Sequence, residues 1–211
     1  ETIGIGVKLT AEVWCDDSFA ELHKRRTQDK SASIEKQEDP IKEAFVALFQ
    51  KVKEYFNNQS VMIDISVKNV AKDPSIAVKF EEMELSLDGP KTLKKLIERA
   101  NHTQESNDTG FFFVTQNPVL QENMYADQVP RSLGEISTYA TFCSNNISAA
   151  VLRYSPKRPD FSYAAEAVAH FFNSSSSRHI RRRQREDMKR VFMHCHNYTE
   201  TGGADERIVP P

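Results

Sequence analysis

The sequence has 211 residues, of which 39% are hydrophobic and 27% are charged, with a formal net charge of −2. This is enough apolar material for a folded core, so the composition excludes a disordered chain. The near-balanced charge does not favour a nucleic acid partner. No apolar run approaches the roughly 20 residues that span a membrane. No signal peptide opens the sequence, so we interpret its start either as a mature end after processing or as a boundary within a longer protein.

The first part of the sequence predicts two strands and a helix. Residues 5–14 carry β-branched residues with partial alternation, which is typical of a strand. The polar residues 23–39 predict an exposed loop. Asp39 and Pro40 then supply an N-cap and a first-turn proline, and apolar residues follow at helical spacing. Residues 60–70 alternate cleanly between apolar and polar side chains, which predicts a second strand.

The rest of the sequence continues this alternation of strands and helices. Residues 91–102 predict a short amphipathic helix, and the continuous apolar run at 110–118 predicts a strand covered on both faces. Residues 137–144 and 149–154 predict two strands joined by a turn, and 161–172 predict a helix.

This order of elements predicts an α/β fold with a mostly parallel sheet, helices packed on it and one antiparallel edge strand. After residue 173 the apolar periodicity fails, so we expect a small irregular C-terminal subdomain. The whole sequence, 1–211, is therefore interpreted as one domain, with residues 1–172 as its α/β part and 173–211 as its irregular part.

N-x-[ST] sequons are more frequent than the composition leads us to expect. If used, each must lie on the surface of a secreted protein, so we predict secretion and N-glycosylation. The six acceptors are Asn58, Asn101, Asn107, Asn146, Asn173 and Asn197.

The cysteine content agrees with an extracellular protein. Cys15, Cys143 and Cys195 form no CxxC motif, so neither a zinc ribbon nor a thioredoxin-like site is indicated. A secreted domain would pair two of the three. The third would be buried or joined to another chain.

Four segments, in order along the chain, carry a resemblance to a known family. They are "AEVWCDDSF", with Asp16 and Phe19, "FCSNNISAAVLRY", "AAEAVAHFF" and "VFMHCHNY". Together they resemble the first strand, the edge-strand segment, the active-site helix and the closing segment of a metzincin catalytic domain of the reprolysin (adamalysin) branch. In that family the cysteines at these places pair, so the resemblance implies a Cys143–Cys195 disulfide.

The zinc motif of that family, HExxHxxGxxH, is degenerate in this sequence. Three histidines bind zinc in the family, and the glutamate acts as general base. Aligned on the first histidine, His170 is kept, but Phe171 replaces the glutamate and Ser174 the second histidine. Ser177 replaces the turn glycine and Ile180 the third histidine. The alignment therefore predicts no catalytic residue and no bound cofactor, with His170 as a relic or weak ligand.

One alternative retains a metal. Glu166 and His170 are four residues apart and can share a helical face, and His179 could complete a zinc site. This set defines an active zinc metalloendopeptidase with an unorthodox site.

A basic run at 178–185 is the largest local charge anomaly. It could bind heparan sulfate or another polyanion, or be a site for a basic-specific protease, although a solvated loop also explains it. No aromatic residue interleaves with it, so nucleic acid binding is not indicated. The arginines are Arg178, Arg181, Arg182, Arg183 and Arg185.

The resemblance and the lost motif together predict a secreted, catalytically inactive metalloprotease-like protein. Its former substrate cleft would bind an extracellular protein or peptide by adding a strand to the edge of the sheet. Secreted proteins of this family occur in venoms and in the saliva of blood-feeding arthropods, which implies a host-directed role.

Overall fold

The structure is a computed structural model that describes residues 1–22, 39–81, 83–125 and 129–199. Most of the predicted loop at 23–39 lies outside these residues. The helices are α1 Pro40–Asn58, α2 Gly89–Asn101, α3 Ser162–Phe171 and α4 Arg182–Phe192. The strands are β1 Lys8–Cys15, β2 Asp64–Lys72, β3 Lys79–Phe80, β4 Met83–Asp88, β5 Thr109–Thr115, β6 Val119–Gln121, β7 Arg131–Leu133, β8 Glu135–Ser137 and β9 Ser148–Arg153.

The main sheet has the predicted character. Its strand order is β2-β1-β5-β9-β8; the first four strands are parallel, and β8 pairs antiparallel with β9 at the edge. The prediction of a mixed α/β fold with a mostly parallel sheet and one antiparallel edge strand is confirmed.

Strand β5 explains why the sheet is covered on both faces. Every residue of β5 is buried, as its continuous apolar run predicts. Successive side chains point to opposite faces of a strand. Phe112 and Val114 therefore pack with α1, α3 and α4, whereas Phe111 and Phe113 pack with α2 on the other face.

A second, four-stranded sheet was not expected from the sequence. Its order is β3-β4-β6-β7. Strand β3 has two residues, and β6 and β7 have three each, so these strands are too short for a recognisable alternating pattern. Strand β4 does alternate over its six residues, MELSLD, but this pattern was not interpreted as a strand. The side chain of Asp88, at the end of β4, caps α2 by accepting a hydrogen bond from the Lys91 N–H.

The expectation that residues 173–211 are irregular is wrong for α4. Met188, Val191 and Phe192 recur at helical spacing and are buried in the same core as α1 and α3. The Phe192 ring packs edge to face on Phe172, with 4.9 Å between the ring centroids. Because the apolar stripe covers only the end of the helix, the polar residues before it hide the pattern.

The disulfide implied by the resemblance is present. Cys143 and Cys195 are bonded, with 5.1 Å between their Cα atoms, and they join the loop before β9 to the residues after α4. Cys15, at the end of β1, is the unpaired cysteine, and its thiol is buried.

The strand predicted at 137–144 is largely wrong. Strand β8 ends at Ser137, and the following segment contains Ala140 and Cys143 at positive φ, which interrupts an extended strand. The N–H groups of Ala140 and Phe142 instead donate to the carbonyls of His170 and Phe171. The segment thus satisfies carbonyl groups that the end of α3 leaves without helical partners.

Within the described ranges, every helix is too short or too polar to cross a lipid bilayer.

Candidate functional site

Helix α3 places Glu166 and His170 on one face. They are four residues apart, so their side chains lie one above the other. Nε2 of His170 is 3.8 Å from Oε1 of Glu166, and both side chains are about a quarter exposed, at 21% and 27%. Ala167 and Phe171, one position further in each case, are fully buried in the core. The helix therefore presents one carboxylate and one imidazole to the surface and buries their neighbours.

The edge strand β8 adds a second carboxylate that sequence reasoning missed. Glu135 and Ser137 are two residues apart and share a face of the strand. Nδ1 of His170 lies 2.8 Å from Oγ of Ser137 and 3.4 Å from Oε1 of Glu135. The other oxygen, Oε2 of Glu135, is buried and has no hydrogen-bond partner among the described residues. The sequence signal for this contact is a polar pair at alternate positions, and it was missed because Glu135 precedes the predicted strand, which begins at Ser137.

His170 is thus held between two carboxylates. The Glu135 carboxylate beside the ring raises the pKa of His170 above its ordinary value of 6.5, against the opposing effect of burial, and Glu166 adds to the increase. Ser137 Oγ is the nearer partner of Nδ1, whereas the charge of Glu135 contributes more to the pKa. The two carboxylates therefore stabilise the protonated imidazolium relative to the neutral ring.

The loop after α3 seals this cluster from one side. Ser177 donates two hydrogen bonds to Oε2 of Glu166, one from its N–H and one from its hydroxyl, each 2.8 Å long. The carbonyl of Ser177 in turn accepts hydrogen bonds from the hydroxyl of Tyr55 on α1 and from the side-chain amide of Gln59 just after it. Glu166 is therefore already engaged by the protein itself through one of its oxygens.

The structure corrects the alignment of the zinc motif. Helix α3 ends at Phe171, so Ser174 cannot share a helical face with His170 as a second histidine would. The turn residue with positive φ is Asn173, at 66°, three residues after His170. A glycine stands at this distance after the second histidine in HExxHxxGxxH, and asparagine is one of the few other residues that tolerates this conformation.

The structural register therefore lies four residues earlier than the sequence alignment placed it. Glu166 takes the place of the first histidine, Ala167 that of the glutamate, and His170 that of the second histidine. Asn173 takes the place of the turn glycine and Ser176 that of the third histidine. The i,i+4 spacing of Glu166 and His170 was the available signal for this register.

The residues present do not fit a zinc ion. The separation of Glu166 Oε1 and His170 Nε2 is compatible with two ligands of one ion, but a protein zinc site needs at least a third donor. His179 is exposed and does not join them. Across the described parts of the chain, no three His, Cys, Asp or Glu side chains are arranged to hold a metal ion. Ser174, Ser177 and Ile180, the positions of the first alignment, are buried.

An open cleft of about 410 Å³ adjoins the cluster. It is lined by the aromatic rings of Tyr55, Phe161 and Tyr163 and by the polar side chains of Glu166 and Arg178. The Tyr163 ring lies against Gly134, just before β8, where any Cβ would overlap it. Tyr163 also lines a second cleft of about 320 Å³ with Arg153 and Asp160.

The basic run surrounds the start of α4. Arg181 is the N-cap of this helix and Arg182 and Arg183 open its first turn, at the positive end of the helix dipole, where cations are unfavourable. No ion pair joins any of them to a carboxylate among the described residues. Arg178, Arg181, Arg182 and Arg183 are exposed, and Arg185 is half-buried.

The glycosylation acceptors are accessible. Asn173 is half-buried, and the other five are exposed: Asn58, Asn101, Asn107, Asn146 and Asn197. Their use stays a prediction.

The chain has a distant structural likeness to solved proteins. No protein-family model matches the chain, and neither does a curated protein. Among solved structures, the chain is similar to archaemetzincin from Methanopyrus kandleri, with 11% sequence identity and a TM-score of 0.42. The likeness covers 89% of this chain and 97% of that one. At this identity and TM-score it assigns neither a family nor an activity.

Proposed function

We propose that this chain is a secreted, catalytically inactive relative of the reprolysin-branch metzincins that binds an extended peptide or protein segment beside β8. The carrying observation is that the position of the general base is apolar. This position is Ala167 in the structural register and Phe171 in the sequence alignment. Both side chains are fully buried in the core, with 0% of their surface accessible to solvent. Neither side chain can accept a proton from water.

The cluster around His170 supports inactivity in a second way. Its imidazole lies between Glu135 and Glu166, and Glu166 also accepts two hydrogen bonds from Ser177. These contacts replace a set of metal ligands with an internal network of ion pairs and hydrogen bonds. Such a network holds the former site closed and stabilises the end of α3.

The outer edge of β8 pairs with no other strand among the described residues, which supports peptide binding. The carbonyl of Gly134 and the N–H of Thr138 bond to β9. Backbone groups alternate in direction along an antiparallel strand, so those of Glu135 and Ser137 point away from β9. An extended peptide can pair with them, as in other cases of strand addition.

The neighbouring cleft indicates the chemistry of the occupant. Tyr55, Phe161 and Tyr163 provide aromatic walls, and the rings of Tyr55 and Phe161 lie 5.2 Å apart. A bulky apolar side chain of the peptide would bury its surface there. The proposed ligand is therefore an extended segment with an apolar side chain flanked by residues that pair with β8.

A selection from phage-displayed random dodecamer peptides tests this function. Selected peptides should bind the wild-type chain, and Ser137→Pro should weaken binding roughly tenfold, because it removes the outward N–H and leaves a peptide carbonyl unpaired. Ser137→Ala keeps the N–H and is the matched control. No enrichment of peptides, or equal binding by Ser137→Pro, would contradict the proposal.

The alternative of an active zinc metalloendopeptidase with Glu166, His170 and His179 has less support. The structure brings the first two together but not the third, and neither register supplies a general base. Metal analysis together with an assay of peptide cleavage distinguishes the two functions.

Sulfated polysaccharide binding is a second candidate function. The observation that favours it is the group of arginines without ion pairs at the start of α4, since guanidinium groups bind sulfate in a bidentate manner. Arg181, Arg182 and Arg183 should be changed together to alanine. This variant should elute from heparin at lower salt than wild type, whereas the equally charged control Lys91→Ala/Lys94→Ala/Lys95→Ala should not. Equal elution of the two variants would exclude the candidate.

A further inference from the structure

The six sequons, scattered along the sequence, lie at one end of the folded chain. We infer that N-glycans cover the end at which the four parallel strands begin, and leave the opposite end and the cleft beside β8 open to macromolecules. The inference rests on the proposed secretion and goes beyond it, because it states which surface is shielded.

The aligned starts of the four parallel strands define the end of the molecule at which the acceptors lie. Lys8 of β1 pairs with Asp64 of β2, so these two strands begin side by side. Thr109 of β5 pairs with Thr10 of β1, two residues further along. Ser148 of β9 pairs with Gly110, one residue into β5. The four starting residues thus form one edge of the sheet.

Three acceptors lie where helices end near this edge. Asn58 is the last residue of α1, six residues before β2 begins at Asp64. Asn101 is the last residue of α2, eight residues before β5. Asn173 follows α3; its N–H and that of Ala140 both donate to the carbonyl of His170, which places it beside the loop that leads to β9.

The other three acceptors directly precede strands or lie against them. Asn107 and Asn146 each stand two residues before a strand, β5 and β9 respectively. The carbonyl of Asn107 accepts a hydrogen bond from the N–H of Cys143, which connects the two loops. Asn197 lies against Gly6, just before β1, and the nearby N–H of Thr199 donates to the carbonyl of Ile5.

The clefts also differ in whether glycosylation acceptors line them. A cleft of about 260 Å³ at this end is lined by Asn101, Asn107 and Asn146 together. In contrast, no acceptor lines either of the two clefts that share Tyr163. Each N-glycan is bulky and hydrated. Glycans at these positions would exclude proteins from the first cleft and leave the other two accessible.

Site mapping tests the inference first. The chain would be secreted from insect cells behind a leader peptide, treated with peptide N-glycosidase in ¹⁸O-water and analysed by mass spectrometry. We expect the label at most of the five exposed acceptors. Label at a minority of them would overturn the inference. The map is independent of peptide binding, so failure of the proposed function leaves this result unchanged.

Lysine labelling then tests which end is shielded. Removal of the glycans should increase acylation of Lys8, at the start of β1, and of Lys68, which pairs with Glu105 two residues before Asn107. It should leave Lys79 and Lys157, which lie beyond the ends of the parallel strands, unchanged. Equal increases at both ends would overturn the inference.

A new sequon supplies the matched control. Asp160 is exposed beside the second cleft, and Asp160→Asn creates an N-x-S sequon with Ser162. Asparagine can keep the hydrogen bond that Asp160 accepts from the Ser162 N–H. A glycan there should protect Lys157 but not Lys8. Protection of Lys8 as well would show that labelling does not report local shielding and would overturn the assignment of the shielded end.

Discussion

Nε2 of His170 lies 3.8 Å from Oε1 of Glu166, one helical turn earlier on α3. This pair stands where the resembled zinc motif has its two helical histidines. Glu135 approaches the other ring nitrogen from β8. His170 thus has two carboxylate neighbours, and both raise its pKa.

The first prediction concerns which carboxylate controls His170. Glu135→Gln should lower the pKa of His170 more than Glu166→Gln does, because the contact with Glu135 is the larger cause of the raised pKa. NMR titration of the imidazole ring protons measures both shifts. A larger effect of Glu166→Gln would contradict the assignment.

The second prediction concerns the stability of the fold against pH. A raised folded-state pKa means that protonated His170 stabilises the folded chain fully below its ordinary pKa of 6.5. This contribution is lost as the pH rises through the folded-state pKa. Urea unfolding below pH 6.5 and well above it should therefore show a stability difference that His170→Gln reduces.

The control for this measurement is His179→Gln, which changes an exposed histidine. It should leave the difference unchanged. If His170→Gln also leaves it unchanged, the ion pairs around His170 do not stabilise the fold.

The third prediction concerns the disulfide. Cys143 and Cys195 are 52 residues apart, and in the chain-entropy model a loop of this length stabilises the fold by about 4 kcal/mol. Cys143→Ala/Cys195→Ala should lower the free energy of unfolding by about this amount. Reduced wild type, which keeps both side chains, is the control. Equal stability of the oxidised and reduced chains would contradict the prediction.

The fourth prediction concerns Cys15. Burial, with a further contribution from Asp16, raises the pKa of Cys15 to about 11. The folded chain should therefore not react with a thiol reagent at mildly alkaline pH, and the unfolded chain should react at this thiol. Rapid reaction of the folded chain, or a disulfide-linked dimer, would contradict the buried position.

The sequence alone predicts secondary structure correctly where its apolar patterns are long or a capping motif is present. The alternation in 60–70 and the apolar run in 110–118 predict β2 and β5, and Asp39 with Pro40 predicts the start of α1. The disulfide followed from the resemblance. These features are local or carry a motif, so a single sequence contains them.

The sequence alone does not predict the features of the structure that depend on tertiary contacts. Residues 137–144 read as a strand, but Ala140 and Phe142 bond to the end of α3 instead. Glu135 meets His170 only because β8 lies beside α3 in the fold. The register of the zinc motif depended on where α3 ends, and this became visible only through the positive φ of Asn173.

A gain-of-function experiment checks the register. Glu166→His/Ser176→His adds two histidines that, together with His170, make three in the structural register, and this variant should create a zinc site. Ser174→His/Ile180→His rebuilds the earlier alignment. It changes two buried residues and should not create one.

Zinc analysis of the purified wild-type chain, combined with an assay of peptide cleavage, is the most direct test of the proposed inactivity. We expect no stoichiometric zinc and no cleavage in wild type, with stoichiometric zinc in Glu166→His/Ser176→His as the positive control. Stoichiometric zinc in wild type, with peptide cleavage that a chelator blocks, would contradict it.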